Sequence, residues 1–221
     1  EHFRNPDVVV VAVGVDVEEP RKRTGSLRPR EDTAHRFPGG AFEGEMFDGE
    51  IVRRLDPRSG LFLIEGNHDL FEGREAFARG VDEAGFPLLR NAAAQVNFRG
   101  HPLDVLGIRW SRSEKAMEQD IADTAALRRS DAFPLLLAHH PHAFDASARA
   151  GVPLTLGGHT HGGQIMLHPD LGAGPLMFRY WSGLYRKPTG EAAVISNGAG
   201  NWFPLRTAAP AEILHLTLRR I

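Results

Sequence analysis

An α/β fold is predicted by three features of the chain. Short, continuous runs of β-branched and leucine side chains recur along it, as they do in strands covered on both faces. Segments with apolar residues at helical spacing lie between them. Polar side chains able to bind metal or move a proton follow directly after the runs, where α/β sheets gather their ligands.

The runs come in order. The valine-rich stretch 8–13 reads as the first buried strand, and it delivers Asp16 just beyond its end. From residue 18 to 49 the periodicity collapses into arginines, glycines and few aliphatics. That stretch fits either a basic loop for an anionic substrate or a solvated, mobile insertion, and its composition favours the insertion. Residues 50–55 suit the end of a short helix stopped by Asp56 and Pro57. The run 61–64 is a second strand, followed at once by Gly66, Asn67, His68 and Asp69. Residues 74–84 predict a helix with Phe77 and Val81 on one side, closed by Gly85 and Pro87. Around Arg99 and Gly100, the runs 96–98 and 103–108 predict a hairpin. Residues 113–129 predict a longer helix through Met117 and Ile121. A third buried strand, 133–138, ends on His139, His140 and His142. A short segment, 146–150, leads to the strand 152–156, which ends on Gly158, His159, Thr160 and His161. Runs at 165–167, 192–196 and 212–218 complete the strands, the last alternating to leave one face drier. There is no internal repeat and no linker between two cores, so residues 1–221 read as a single domain.

Composition narrows the function. With 42% hydrophobic and 24% charged residues the chain has the make-up of a soluble globular protein. A formal charge of −2 gives no general attraction to nucleic acid or anionic lipid. The absence of cysteine excludes disulfides, zinc–thiolate sites and thiol nucleophiles. No apolar run is long enough for a transmembrane helix.

The histidines are unevenly placed. His139, His140, His142, His159, His161 and His168 crowd into one short span, more than solubility requires. His159 and His161, one residue apart on extended backbone, would point their rings to the same side, with glycines on both flanks allowing close approach. Taken alone such a pair is an ordinary turn. With Asp16, Asn67, His68 and His139 at other strand ends, it becomes a metal site of nitrogen and oxygen donors, suited to manganese, iron or zinc. His140 and His142 read as neighbours of the ligands, and His168 and His215 as partly buried strand residues. Tyr180, Trp181, Tyr185, Trp202 and Phe203 suit either core or an acyl or nucleoside pocket. Arg206 suits a phosphate contact by charge, and a surface ion pair by base expectation.

Three stretches, Gly66 through Asp69, Ala138 through Pro141 and Gly158 through Gln164, together resemble the calcineurin-like metallophosphoesterases. Gly183 through Arg186, Ser196 through Gly198 and Phe203 through Arg206 are similar to a bacterial phosphodiesterase subgroup of the YkuE and YaeI type. The resemblance implies a layered α-β-β-α sandwich and hydrolysis of a phosphodiester or a lipid or nucleotide pyrophosphate by a metal-activated water. It implies two divalent metals, with Asn67, His139 and His159 on one, His161 on the other and Asp16 bridging them. His68 would act at the leaving group, oriented by Asp69. No Asp-x-His motif, which opens the family pattern, occurs in the chain. The first strand is therefore expected to be missing, the fold to be N-terminally incomplete, and one metal to be retained. Val15 also separates Gly14 from Asp16, which would turn that carboxylate. A catalytically impaired metal- or phosphate-binding remnant is the alternative. Either way a bacterial monomer is expected, cytoplasmic or peripheral to a membrane, and the near-neutral charge with no aromatic–basic stacking pattern argues against a nucleic-acid partner.

Overall fold

The computed structural model describes residues 9–10, 60–70, 73–98, 100–199, 205–216 and 218. Asp16, the irregular stretch 18–49, the helix end at 50–55, Trp202 and Phe203 lie outside the described residues. Strand β1 (Val9–Val10) runs parallel to β2 (Leu61–Phe62). A six-stranded sheet has the order β3 (Ala92–Phe98), β4 (His101–Gly107), β5 (Phe133–Leu137), β6 (Leu154–Gly157), β10 (Ala192–Ile195), β9 (Gly183–Arg186). Its four central strands are parallel, and both edges are antiparallel hairpin partners.

Alternation along β2 explains the layers. Phe62 and Ile64 turn inward onto Val105, Leu135, Leu137 and Leu154 of the large sheet. Leu61 and Leu63 turn outward onto helix α1 (Arg74–Glu83), against Phe77 and Val81. Burying each of those side chains stabilises the layer by roughly 1.5–3 kcal/mol. The other face of the large sheet carries Leu106 and Leu136, which meet Met117, Ile121 and Ala125 of α2 (Glu114–Ala125) and Ala143 and Ala146 of α3 (Ala143–Arg149). The order is helix, sheet, sheet, helix, as the resemblance implies.

Local chemistry sets the boundaries. The Ser113 hydroxyl accepts the Ala116 N–H and starts α2. At the other end Arg128 donates to the carbonyls of Ala125 and Ala150, at 2.9 and 3.1 Å, so α2 stops short of the predicted residue 129. Gly107 has no room for a side chain, because a Cβ there would lie 2.3 Å from the Leu89 Cβ.

Three expectations fail. The run 212–218 forms no strand where it is described; Ile213, Leu214, Leu216 and Leu218 are exposed. Both sides of β10 are already taken, by β6 and β9, so the segment has no place beside it. His168 and His215 are exposed rather than partly buried, the first in the short β7 (Met166–His168) paired with β8 (Leu171–Gly172) and the second in that coil. Finally, His159 and His161 do not sit on extended backbone: their φ angles are 72° and 50°.

Candidate metal centre

Strands β5 and β6 are parallel neighbours with Leu137 opposite Leu156, so their C-terminal ends emerge side by side. The Ala138 N–H bonds the Leu156 carbonyl and the Gly158 N–H bonds the His139 carbonyl, which locks the two loops together. His139 and His159 are thereby brought ring to ring. From the facing layer, the loop after β2 supplies Asn67. Three atoms converge: His139 Nε2 lies 2.7 Å from Asn67 Oδ1, His159 Nδ1 lies 3.1 Å from the same oxygen, and the two ring nitrogens are 3.0 Å apart.

With the Asn67 oxygen facing the rings, all three atoms carry lone pairs, and an imidazole proton or a cation can bridge them. Adjacent donors around an octahedral ion with bonds of about 2.1 Å stand about 3.0 Å apart, so the spacing fits a divalent cation. Burial, followed by the charges of His159, His140, His161 and His68, holds the His139 imidazole well below its ordinary pKa. A neutral ring keeps the lone pair a metal needs. Among the described residues, no three His, Asp or Glu side chains form such a group; the cluster here is two imidazoles and an amide.

The neighbours are placed as supports. His140 stacks on His159 with centroids 4.8 Å apart, and burial, then His159 and His142, lowers its pKa to about 3. The His142 N–H donates to His140 Nδ1, so the proton of that neutral ring sits on Nε2. Phe178 stands edge-on to His159 at 5.8 Å and closes one side of the cluster with an apolar face. His68 and Asp69 lie in the single turn His68–Leu70, and the buried Asp69 carboxylate accepts the Gly66 N–H at 2.6 Å, fixing the loop that carries Asn67. Glu65, wholly buried one residue earlier, accepts the Trp110 N–H and pairs with Arg74 and Arg90, both at 3.2 Å. Burial raises its pKa, and Arg74, Arg90, the Trp110 N–H and Arg109 oppose that.

His161 is held by other contacts. After His159 the chain turns through Thr160 into the turn His161–Gly163, with Gly162 and Gly163 at φ of 66° and 82°. A Cβ on Gly162 would meet the Asn197 side chain at 2.4 Å, and one on Gly163 the Gly174 backbone at 2.5 Å. Gly174 belongs to the short helix α4 (Ala173–Met177). The Arg206 guanidinium reaches His161 at both its carbonyl and Nδ1, each at 3.2 Å, and also donates to the carbonyls of Asn197 and Ala209. Arg206 is therefore a clamp on this loop, whatever else it touches. Tyr180 is core, packed on Phe144, and Trp181 and Tyr185 pack beside it. The sequence reading gave no role to Glu65, Phe178 or Asn197, although Asn197 lies in one of the stretches that carry the resemblance. Glu65 and Asn197 each follow a strand, which is a signal of place but not of role.

The layering brings two imidazoles and an amide together at the strand ends, a donor set that a divalent cation could use. No family model matches the chain, and no solved structure matches it. Curated relatives do. The chain is 33% identical over 170 residues to an uncharacterized metallophosphoesterase of Helicobacter pylori, covering 76% of this chain and 45% of that one. It is 26% identical over 189 residues to an uncharacterized metallophosphoesterase of Aquifex aeolicus, covering 82% and 70%. It is 29% identical over 176 residues to the uncharacterized metallophosphoesterase YkuE of Bacillus subtilis, covering 76% and 59%. The chain belongs to the metallophosphoesterase family, and that family implies divalent metal ions. It spans less than half the length of the Helicobacter relative.

Proposed function

We propose that this chain hydrolyses a phosphodiester or pyrophosphate bond with a divalent cation held by Asn67, His139 and His159. The observation that carries the reading is the triangle of lone-pair atoms at 2.7, 3.0 and 3.1 Å. When bound, a divalent cation draws charge from phosphoryl oxygens and makes water a better nucleophile at neutral pH. The chain's own residues do the rest. His140 and Phe178 pack on His159 and hold its ring at a fixed angle. Asp69 and Glu65 pin the loop bearing Asn67. His68, carried by the same loop, gives a proton to the departing oxygen. The substrate class follows the family resemblance, the chain acts as a monomer, and the net charge of −2 supports a substrate other than nucleic acid.

The test is hydrolysis of an aryl phosphodiester by the purified chain loaded with manganese or zinc. His139→Ala and Asn67→Ala are expected to lower kcat/KM by more than about 100-fold, since even outer partners of metal ligands cost 10–100-fold. Bound metal should fall in parallel. Undiminished hydrolysis in His139→Ala would remove the reading. A second reading, an impaired remnant with a single metal, is favoured by one contact: His161, the other metal's ligand by resemblance, is engaged by Arg206 at Nδ1. Activity without loss on metal removal would rule against both.

A further inference from the structure

Most of the turn 159–164 has left-handed backbone: φ is 72° at His159, 50° at His161, 66° at Gly162, 82° at Gly163 and 51° at Gln164. Glycine adopts such angles freely, but His159, His161 and Gln164 carry side chains and are strained there. A strained run persists only where the surrounding structure over-determines it. The turn closes on itself through three bonds, from Thr160 N–H to the Gly158 carbonyl, Gly163 to Thr160 and Gln164 to His161, at 2.9, 2.8 and 3.1 Å. It is therefore one unit, and its seat against the sheet must come from outside.

Asn197, two residues beyond β10 and only 6% exposed, supplies that seat. Its side chain fills the space beside Gly162, where a Cβ would lie 2.4 Å from Oδ1 and 3.1 Å from Nδ2. All four of its polar atoms are engaged. The backbone N–H donates to the Glu212 carboxylate at 2.8 Å and the carbonyl accepts Arg206 Nη2 at 3.0 Å. Oδ1 accepts the Ser182 hydroxyl at 2.7 Å, and Nδ2 donates to the Pro210 carbonyl at 3.1 Å. That carbonyl can only accept, which fixes which end of the amide faces Ser182. The Trp181 carbonyl, one residue before Ser182, accepts the Thr160 hydroxyl at 2.5 Å. The segment before β9 thus grips both the turn and the amide that seats it.

We propose that Asn197 is a positioning residue: its amide wedges Gly162, keeps the turn 159–164 in its left-handed course, and so holds the His159 ring in place beside His139 and Asn67. The proposal rests on the reading of the Asn67, His139 and His159 cluster as a metal site. With the turn already ordered, a cation binds His159 without ordering the backbone; without the wedge, that ordering is drawn from the binding free energy.

Amide hydrogen exchange of the metal-free chain, and cobalt(II) binding followed by visible absorption, test this. In Asn197→Ala the Gly163 and Gln164 amides are expected to exchange at least about 10-fold faster, while those of β6 and α2 keep their wild-type rates. Cobalt should bind about 10–100-fold more weakly. Asn197→Asp, which keeps the shape and the oxygen toward Ser182 but loses the donor to Pro210, should fall between. A second pair of variants works through Gly162. Gly162→Ala puts a methyl against the Asn197 amide and should loosen the turn and weaken cobalt binding. Adding Asn197→Ala, harmful by itself, should then recover part of the loss, because it opens that space. Wild-type exchange at Gly163 and Gln164 in Asn197→Ala, or a double variant as impaired as the two single losses combined, overturns the proposal. If the wild-type chain binds no cobalt the metal reading fails, and exchange at the two amides still decides whether Asn197 seats the turn.

Discussion

Asp104 is wholly buried on β4, and Arg129 pairs with it there. Its two oxygens accept the Arg129 backbone N–H at 2.6 Å and the Nε at 2.8 Å. Truncation would leave the Arg129 peptide N–H and Nε–H without an acceptor, a costlier loss than the net worth of the pair, while Nη2 keeps the carbonyls of Val96 and Leu103. Asp104→Ala is therefore expected to lower stability by about 2–3 kcal/mol, at the low end because Arg129 keeps contact with water. Urea unfolding midpoints check this, and an unchanged midpoint would show that solvent replaces the carboxylate. Glycine positions offer a cleaner comparison. Gly100 and Gly163 share a left-handed φ, 84° and 82°, but a Cβ on Gly100 meets nothing within 4 Å while one on Gly163 lies 2.5 Å from the Gly174 backbone. Gly100→Ala is expected to cost about 1 kcal/mol of backbone strain. Gly163→Ala should add about 1–3 kcal/mol of overpacking and push α4 away from the turn bearing His161. Equal melting temperatures for the two variants would mean that the contact relaxes freely.

At the scale of the element, the N-terminus of α2 is carried by a single side chain. Ser113 adopts an extended conformation, with φ −84° and ψ 116°, and its hydroxyl accepts the N–H three residues on. Ser113→Ala should cost about 1 kcal/mol, while Ser113→Asp should restore the bond and add attraction to the helix dipole. Thermal melts of the three chains in the order aspartate, serine, alanine would agree; an alanine chain equal to wild type would not. Such local chemistry was legible in the sequence, as were the strands buried on both faces, because they depend on side chains close together in the chain. The run 212–218 had the same alternation and formed no strand. Alternation states which face would be dry, not whether a neighbouring strand is vacant, and β10 had none to offer. The left-handed turns at His159 and His161 were hidden for a related reason. Glycines flanking a strand end announce a turn, but they do not fix the sign of φ at the histidines between them, here 72° and 50°.

Across the whole molecule, the strand-end pattern located Asn67, His139 and His159 because parallel strands deliver their C-terminal ends to one edge. Arg206 was named for its charge alone. Its grip on His161 joins residues 45 apart in sequence, and no local pattern encodes that. The same non-local economy holds the C-terminal half to the sheet through Asp145 on α3. Its carboxylate accepts Lys187 Nζ at 2.6 Å, the Tyr180 hydroxyl at 2.9 Å and Arg179 at 3.1 Å, so α3 and the segments just before and just after β9 meet at one charge. Burial pushes the Asp145 pKa up, but the bonds from Lys187 and Tyr180 and the charges of Lys187 and Arg179 outweigh it, leaving the value below the usual carboxylate range. A carboxylate whose pKa is lower in the folded state binds its proton less readily there than in the unfolded chain. Its stabilising contribution is thus complete above the unfolded value of about 3.9 and declines as pH falls through the folded value. Asp145→Asn removes that contribution at every pH. The stability gap between wild type and Asp145→Asn should then be constant from pH 7 to pH 5 and close as the pH is lowered below about 3.9. Urea unfolding of both chains at about pH 7, 5 and 3 reads the gap directly. A gap that persists undiminished in acid would mean that Asp145 contributes by packing and neutral hydrogen bonds, with its charge irrelevant to how the halves are joined.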